Sequence, residues 1–155
     1  ECARLVCEFT GFDLRFDWKA SKGGNSGVMY GVVEDPKYDA AWKTGPEYQL
    51  IDDVGFHIKL DPDRTAAANY SMQAPDPAQK VLKPVGEWNT TRLVVRGSHV
   101  EHWLNEKKVL EFERWTPAWN GCVTPASGRR RPTTAAPEPA ASSSRITAAS
   151  SGSGT

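Results

Sequence analysis

Apolar and polar residues alternate most clearly near the start of the chain. The apolar positions are Phe12, Leu14, Phe16 and Trp18, with charged residues between them. A period of two is typical of a β-strand with one buried face. A turn-rich stretch follows at residues 21–25, and residues 26–33 again favour a strand. We therefore predict a β-hairpin over residues 12–33.

The later chain repeats this pattern of short strands between turn signals. The predicted strands are residues 47–51, 88–95, 99–104 and 108–113. Residues 65–72 are compatible with a strand or a short helix. Residues 99–113 form a second predicted hairpin; because both of its faces carry large side chains, we expect one to be covered and the other to line something. No segment keeps a helical period, so the pattern indicates an all-β sandwich or barrel.

Composition divides the chain into two parts. Of the 27 residues in 129–155, 21 are Pro, Ala, Ser, Thr or Gly, and all 15 aromatic residues of the chain lie at or before Trp119. Such a segment buries too little apolar surface to offset its chain entropy. We therefore predict a folded domain over residues 1–128 and a disordered tail over residues 129–155. The domain has 15 basic and 18 acidic residues, a net charge of −3.

Charge and cysteine usage exclude several classes. Basic and acidic residues number 19 each, so the chain lacks the basic excess of a nucleic-acid-binding domain. No apolar run approaches the roughly 18 residues of a membrane span, and the first residues show no signal-peptide pattern. Cys2, Cys7 and Cys122 form no CxxC pair, which disfavours zinc. A disulfide from Cys122 to either of the others stays open.

The most informative polar positions lie inside a predicted strand. Glu47 and Gln49 are two residues apart, so they share one face, whereas Tyr48 and Leu50 share the other. A carboxylate beside an amide can hold a sugar hydroxyl or act on a glycosidic carbon. The alternative is a solvated sheet face with Tyr48 and Leu50 inward. The sequence leaves both interpretations open.

Other candidate positions have ordinary structural interpretations beside the functional ones. Asn25-Ser26-Gly27 also reads as a hairpin turn, and Glu87-Trp88-Asn89 as a strand entry with Trp88 as a core anchor. Several aromatic residues could stack on sugar rings or belong to the core. These are Tyr30, Tyr70, Trp103, Trp115 and Trp119.

Metal sites receive little support from the pattern. His57, His99 and His102 show no metal-binding spacing, and each is expected to be a structural or surface residue. Asp61 and Asp63 suit Ca²⁺ chemically but are more simply surface acids. No cofactor is predicted, and a divalent metal is left open.

Taken together and in order, these motifs resemble the 3-keto-disaccharide hydrolase family. The runs that carry the resemblance are FDLRFDWKASKGGNSGVMYGV, GPEYQLIDD, ANYSMQAP and KPVGEWNTTRLVVRGSHVEHWLNEKKV. The resemblance implies a concanavalin-like jelly roll of two antiparallel sheets, a carbohydrate substrate and a secreted or periplasmic location. It also implies cleavage of glycosides whose sugar carries a C3 ketone, because that ketone acidifies the C2 proton and lets a base begin elimination of the glycosidic oxygen.

The resemblance assigns roles to the candidate residues. Glu47 would be the catalytic acid/base and Asp52 a second catalytic carboxylate of the E-x-Q-x-x-D signature. The expected substrate contacts are Asn25, Ser26, Tyr30, Gln49, Tyr70, Glu87 and Asn89. The alternatives are a non-catalytic carbohydrate-binding module on the same fold and an inactive fragment. The oligomeric state is left open.

Both ends of the chain depart from the family pattern. Glu1–Glu8 supplies little of the expected first strand, and the tail lacks the family's closing L-Q-D-H-G strand. We therefore expect terminal strands to be missing. One hypothesis explains the tail: reading residues 142–148 one base out of frame can produce Ile-Val-Leu-Gln-Asp-His-Gly, so the tail would derive from a frameshift.

Overall fold

The computed structural model is a sandwich of two antiparallel four-stranded sheets. It describes residues 3–9, 11–33, 35–122 and 144–151, and only the backbone of residues 3–9, 121–122 and 144–151. Sheet A has the order β1-β8-β3-β4 and sheet B the order β2-β5-β6-β7. The strands are β1 Ala3–Phe9, β2 Gly11–Trp18, β3 Asn25–Tyr30, β4 Glu47–Ile51, β5 Asn89–Arg96, β6 His99–Leu104, β7 Lys107–Glu113 and β8 Ser144–Ser151. The predicted all-β jelly-roll class is confirmed.

The interior lies between the sheets and is built from alternate strand positions. The predicted inward face of β2 is confirmed, and Trp18 donates its Nε1–H to Thr91 Oγ1 across 2.9 Å. Fully buried side chains of β5 and β6 continue this face of sheet B, and one from β4 packs against it from sheet A. They include Tyr48, Leu93, Val95, Val100 and Leu104. A short helix, α1 (Pro117–Cys122), closes one side by stacking Trp119 on Phe112.

The predicted hairpin over residues 12–33 is wrong. β2 pairs with β5 in sheet B, whereas β3 pairs with β4 and β8 in sheet A. The six residues between β2 and β3 are enough to span the roughly 10 Å that separates two packed sheets. Both strands were predicted correctly, but their partners are distant in sequence and local turn signals do not specify them.

The second predicted hairpin is confirmed. β6 and β7 pair from His99–Glu113 to Leu104–Lys107. Asn105 and Glu106 both adopt left-handed backbone angles, with φ of 46° and 67°. Two consecutive positive φ values are characteristic of the tight turn that suits the twist of paired strands. The alternation in β6 buries Val100, His102 and Leu104, as expected for the covered face.

The structure differs from the sequence-based expectation at both ends. β1 is a strand, and residues 144–151 of the predicted disordered tail form β8 between β1 and β3. A central strand is held by backbone hydrogen bonds on both edges, and that pairing leaves no mark in side-chain composition. Residues 129–143 and 152–155 lie outside the described residues. The frameshift hypothesis stays a prediction, and the nucleotide sequence over codons 129–155 tests it.

Among the described residues, no helix is long and apolar enough to cross a membrane. The cysteine pairing question also stays open, because Cys2 and the side chains of Cys7 and Cys122 lie outside the described part of the chain.

Candidate functional site

The outer face of sheet A brings together four of the polar and small positions singled out above. Cross-strand pairing places Asn25 opposite Ile51, and Gly27 opposite Gln49. Glu47 lies one pair further along the same face. We call Asn25, Gly27, Glu47 and Gln49 the β3–β4 patch. The opposite face of these strands points into the sandwich interior.

Gly27 makes room for the Glu47 side chain. A Cβ atom at Gly27 would lie 1.9 Å from Glu47 Oε1 and 2.7 Å from its Cδ and Cγ atoms. No side chain larger than hydrogen fits there unless Glu47 moves. A glycine inside a strand often marks such a close approach. The Glu47 carboxylate therefore lies over the β3 backbone beside Gln49.

Gln49 is buried at 1% exposure and is incompletely hydrogen-bonded. Its Nε2 donates to Asn25 Oδ1 across 3.1 Å. Its Oε1 has no hydrogen-bond partner within the described part of the chain. A buried acceptor without a donor costs on the order of 1–3 kcal/mol, so such atoms call for an explanation. The patch thus offers a carboxylate and an unsatisfied amide oxygen, both of which accept hydrogen bonds from hydroxyl groups.

Residues 65–73 run along the edge of β4 and border the patch. Ala67 N donates to Gln49 O at 2.8 Å, Gln49 N to Ala68 O at 3.1 Å, and Tyr70 N to Glu47 O at 3.0 Å. The expectation of a strand or short helix here is met only by isolated bridges. Left-handed φ values at Ala67 and Ser71 interrupt regular structure. The segment brings Tyr70 to the level of Glu47.

Asn69 and Gln73 close the end of this segment. Their backbones exchange hydrogen bonds of 3.1 and 3.0 Å, and Asn69 Nδ2 donates to Gln73 Oε1 across 3.0 Å. Asn69 is fully buried, and its Oδ1 has no partner among the described residues. Because Asn69 bridges Tyr48 at the edge of β4, this second unsatisfied amide oxygen lies on the interior-facing side of sheet A.

Two predicted substrate contacts lie on the wrong side of sheet A. Ser26 pairs with Leu50 and alternates with Asn25, so it belongs to the interior-facing side. Tyr30 is fully buried, and its hydroxyl lies 2.8 Å from His102 Nε2. Both therefore lie on the face of sheet A opposite to the Glu47 carboxylate. The sequence motif places these residues next to Asn25 in the chain, but a strand turns successive side chains to opposite faces.

Asp52 has a structural role that explains its burial. Its carboxylate accepts backbone hydrogen bonds from Gly23 at 2.8 Å, Gly55 at 2.9 Å and Val54 at 3.1 Å. These hydrogen bonds, led by that from Gly23, hold the pKa of Asp52 below its usual range. The predicted catalytic role does not fit a carboxylate whose oxygens already organise two turns.

The Glu87-Trp88-Asn89 motif belongs to sheet B and its approach, away from the β3–β4 patch. Asn89 is buried, and its Oδ1 accepts from Lys83 N and Asn105 Nδ2. Glu87 is exposed in a turn. Trp88 is 58% exposed under Lys19, so the core-anchor interpretation is wrong. The structure does not join this predicted substrate-binding cluster to Glu47.

A second group of charged residues lies on the outer face of sheet B. Arg92 binds both oxygens of Asp13 and lies over the Trp103 ring. His99 contacts Glu101 and Glu113, which raise its pKa, chiefly through the hydrogen bond to Glu113. We call this surface the sheet-B charge network. Among the described residues, no group of three or more His, Cys, Asp or Glu side chains is arranged to hold a metal ion.

An open cleft of about 520 Å³ lies at the far end of β4, lined by Ile51, residues 52–55 and residues 82–85. Its walls are mainly apolar, and Val54 at its rim is 95% exposed. The cleft begins two residues beyond Gln49 on the same strand. Its volume is in the range typical of small-molecule sites.

Sequence reasoning identified Glu47, Gln49, Asn25 and Tyr70, which the structure brings to one region. It did not identify Gly27 as the space for the Glu47 carboxylate or the backbone hydrogen bond from Ala67 to Gln49. The glycine within a predicted strand was a usable signal for the first. Nothing local in the sequence indicates the second.

Comparisons with known proteins agree with the fold. Residues 4–140 match the model of the 3-keto-alpha-glucoside-1,2-lyase-like domain. A Bacteroides thetaiotaomicron protein named 3-keto-disaccharide hydrolase is 34% identical over 123 residues, which are 72% of this chain and 42% of that protein. The chain thus spans under half the length of this relative. The resemblance found from the motifs is confirmed.

Two solved structures from Parabacteroides distasonis share the fold, both of proteins assigned by inference as glycosyl hydrolases. The first has a TM-score of 0.77 and 30% identity, covering 97% of this chain and 68% of its own. The second has a TM-score of 0.70 and 26% identity, covering 99% of this chain and 76% of its own.

Proposed function

The chain belongs to the 3-keto-alpha-glucoside-1,2-lyase-like domain family, and on that basis we propose that it cleaves 3-keto-glycosides by acid/base catalysis on the outer face of sheet A. The observation that carries the proposal is the placement of the Glu47 carboxylate over Gly27, beside the unsatisfied Gln49 Oε1. A carboxylate can take a proton from carbon, and the amide oxygen can accept a hydrogen bond from a sugar hydroxyl. The name of the Bacteroides relative supports the same substrate class.

The proposed reaction begins at the sugar carbon next to the ketone. Glu47 removes the C2 proton, the electron pair of the C2–H bond forms a C1–C2 double bond, and the C1–O bond to the leaving alcohol breaks. The departing oxygen takes up the proton that Glu47 removed, directly or through water, so Glu47 is again ionised and the elimination balances. Addition of water across the new double bond completes a hydrolysis. Gln49, Asn25 and Tyr70 would hold and orient the sugar.

The test is turnover of a 3-keto-disaccharide, followed by release of the unmodified sugar. Glu47→Gln should lower kcat by about 10²–10⁴-fold while leaving unfolding unchanged, because general acid/base catalysis contributes rate enhancements of that order. Glu111→Gln is the matched control, since Glu111 lies exposed in the sheet-B charge network. Full activity in Glu47→Gln would contradict the assignment. Binding without turnover by the wild-type protein would favour a non-catalytic carbohydrate-binding module.

We also propose a secreted or periplasmic location, which rests on the family resemblance alone. Fractionation of the source cells would test it, and recovery of the protein only in the cytoplasmic fraction would contradict it.

A further inference from the structure

His102 connects the two sheets directly beneath the candidate site. It projects from β6 into the interior and is fully buried. Its Nδ1 lies 3.0 Å from Ala67 O, and its Nε2 lies 2.8 Å from Tyr30 Oη. Its ring centroid is 4.7 Å from that of Tyr48. One side chain of sheet B therefore touches β3, β4 and the segment along the edge of β4.

The hydrogen-bond partners determine the tautomer of His102. A backbone carbonyl can only accept, so Nδ1 carries the proton and donates to Ala67 O. The unprotonated Nε2 then accepts from the Tyr30 hydroxyl. Burial lowers the pKa of His102 to about 4, so the ring is neutral near pH 7. Both ring nitrogens are used, and the ring has one orientation that satisfies both partners.

Ala67 connects His102 to the edge of β4 through its two backbone groups. Its N–H donates outward to Gln49 O, whereas its C=O points inward to His102. A regular strand directs both groups of one residue toward the same neighbouring strand. The left-handed φ of 66° at Ala67 separates them, a conformation that is strained for a residue with a Cβ. A strained backbone of this kind persists when its surroundings hold it in place.

We propose that His102 is a positioning residue for the candidate site: its hydrogen bond to Ala67 O holds residues 65–70 against β4, in register with Glu47 and Gln49. Two of the backbone bonds made by this segment are to Gln49, and a third is from Tyr70 N to Glu47 O. Loss of the inward bond would release the strained turn and let the segment slide along the edge of β4. The link to turnover rests on the proposed function; the structural part does not.

Covalent geometry supplies a matched pair of variants. The side-chain amide nitrogen of Asn lies at the same distance from Cβ as His Nδ1, whereas the amide group of Gln extends to the position of Nε2. His102→Asn can therefore keep the donor to Ala67 O, and His102→Gln loses it while remaining near Tyr30. Tyr30→Phe removes the hydrogen bond at His102 Nε2 and leaves the one at Nδ1.

The experiment measures amide hydrogen exchange at Ala67, Gln49 and Tyr70, relative to amides of β5 and β6. We expect exchange of these three amides to be at least tenfold faster in His102→Gln and close to wild type in His102→Asn and Tyr30→Phe. In a 3-keto-disaccharide assay, kcat/KM should fall by about tenfold in His102→Gln and recover in His102→Asn. Equal exchange in the two His102 variants, or an equal acceleration in sheet B, would overturn the proposal.

Two further outcomes distinguish the proposed function from the positioning role of His102. If the wild-type protein turns over no 3-keto-glycoside, the proposed function fails, and the exchange data still decide the positioning role. If His102→Gln does not fold, ¹⁵N NMR of the wild-type imidazole decides instead. A protonated Nδ1 in a slowly exchanging hydrogen bond is expected, and a protonated Nε2 would overturn the proposal because Ala67 O would then lack its donor.

Discussion

The outer faces of the two sheets both carry carboxylates, but they satisfy their polar groups differently. In the sheet-B charge network, Asp13 receives two hydrogen bonds from Arg92, and Glu101 receives one from Trp103 Nε1. On sheet A, Glu47 lies over a glycine, and Gln49 keeps a buried oxygen without a donor in the described part of the chain. Among the described residues, these sheet-B carboxylates are hydrogen-bonded to side chains, whereas one buried amide oxygen of sheet A has no donor.

This difference shows that charge density alone does not indicate a binding site. Exposed ion pairs such as Arg92–Asp13 contribute little to stability and leave few unused hydrogen-bonding groups. A buried acceptor without a donor and a close-approach glycine each carry a cost that folding alone does not require. These two features are why the proposed function is placed on the β3–β4 patch.

The largest expected effect is a difference between the two histidines of β6 in how each makes the stability of the fold depend on pH. Burial gives His102 a folded pKa of about 4, below the unfolded value near 6.5. Its contribution to stability is therefore present above pH 6.5 and is lost as the pH falls to 4, by roughly 3 kcal/mol. His99, on the charge network, has a raised pKa and should act in the opposite sense, with its contribution lost as the pH rises through that value.

Urea unfolding between pH 7 and 4 measures this difference. His102→Asn should flatten the fall in unfolding free energy across this range, and His99→Gln should not. An unchanged slope in His102→Asn would contradict the neutral, buried assignment.

The next effect tests the space above Gly27. Gly27→Ala places a Cβ where the Glu47 carboxylate lies, so the carboxylate must shift by more than 1 Å. We expect kcat to fall by about a hundredfold, since misplacement of a reacting group on this scale costs that much. The same change in a Glu47→Gln background should cost little more, because the two residues act through one contact. If the kcat losses of the two single variants add in the double variant, Gly27 and Glu47 do not act through one contact.

A smaller effect tests the unsatisfied oxygen of Gln49. Gln49→Met keeps the side-chain volume but removes both amide atoms. The lost bond to Asn25 and the removed unsatisfied oxygen oppose each other, so unfolding free energy should change by less than about 1 kcal/mol. KM for the 3-keto-glycoside should rise by about tenfold. An unchanged KM would remove Gln49 from the substrate contacts.

The smallest effect concerns the charge network itself. Arg92→Met breaks both hydrogen bonds to Asp13. The urea midpoint should fall slightly at low ionic strength and approach the wild-type value in high salt, because exposed charges are screened. Turnover should be unaffected. A large loss of turnover would mean that the outer face of sheet B participates in the reaction.

Prediction from sequence succeeded where the information is local. The alternation of Phe12 to Trp18 identified β2, and the spacing of Glu47 and Gln49 identified a shared strand face. It failed where partners are distant: the 12–33 hairpin is split between two sheets, and Asp52 serves as an acceptor for Gly23 and Gly55. Motif adjacency also grouped Ser26 and Tyr30 with Asn25, although they lie on the other face of sheet A, because adjacency in the chain carries no information about which face a residue occupies.

The sequence by itself determined strands β2 to β7, the family and the residues proposed to accept a sugar hydroxyl, since these follow from periodicity, motif order and residue type along the chain. The tertiary structure decided which of those residues meet. Register placed Gly27 beneath Glu47, and a contact between residues 35 positions apart joined His102 to Ala67. Cross-strand pairing and interior hydrogen bonds depend on how the two sheets pack, and no local pattern encodes that arrangement.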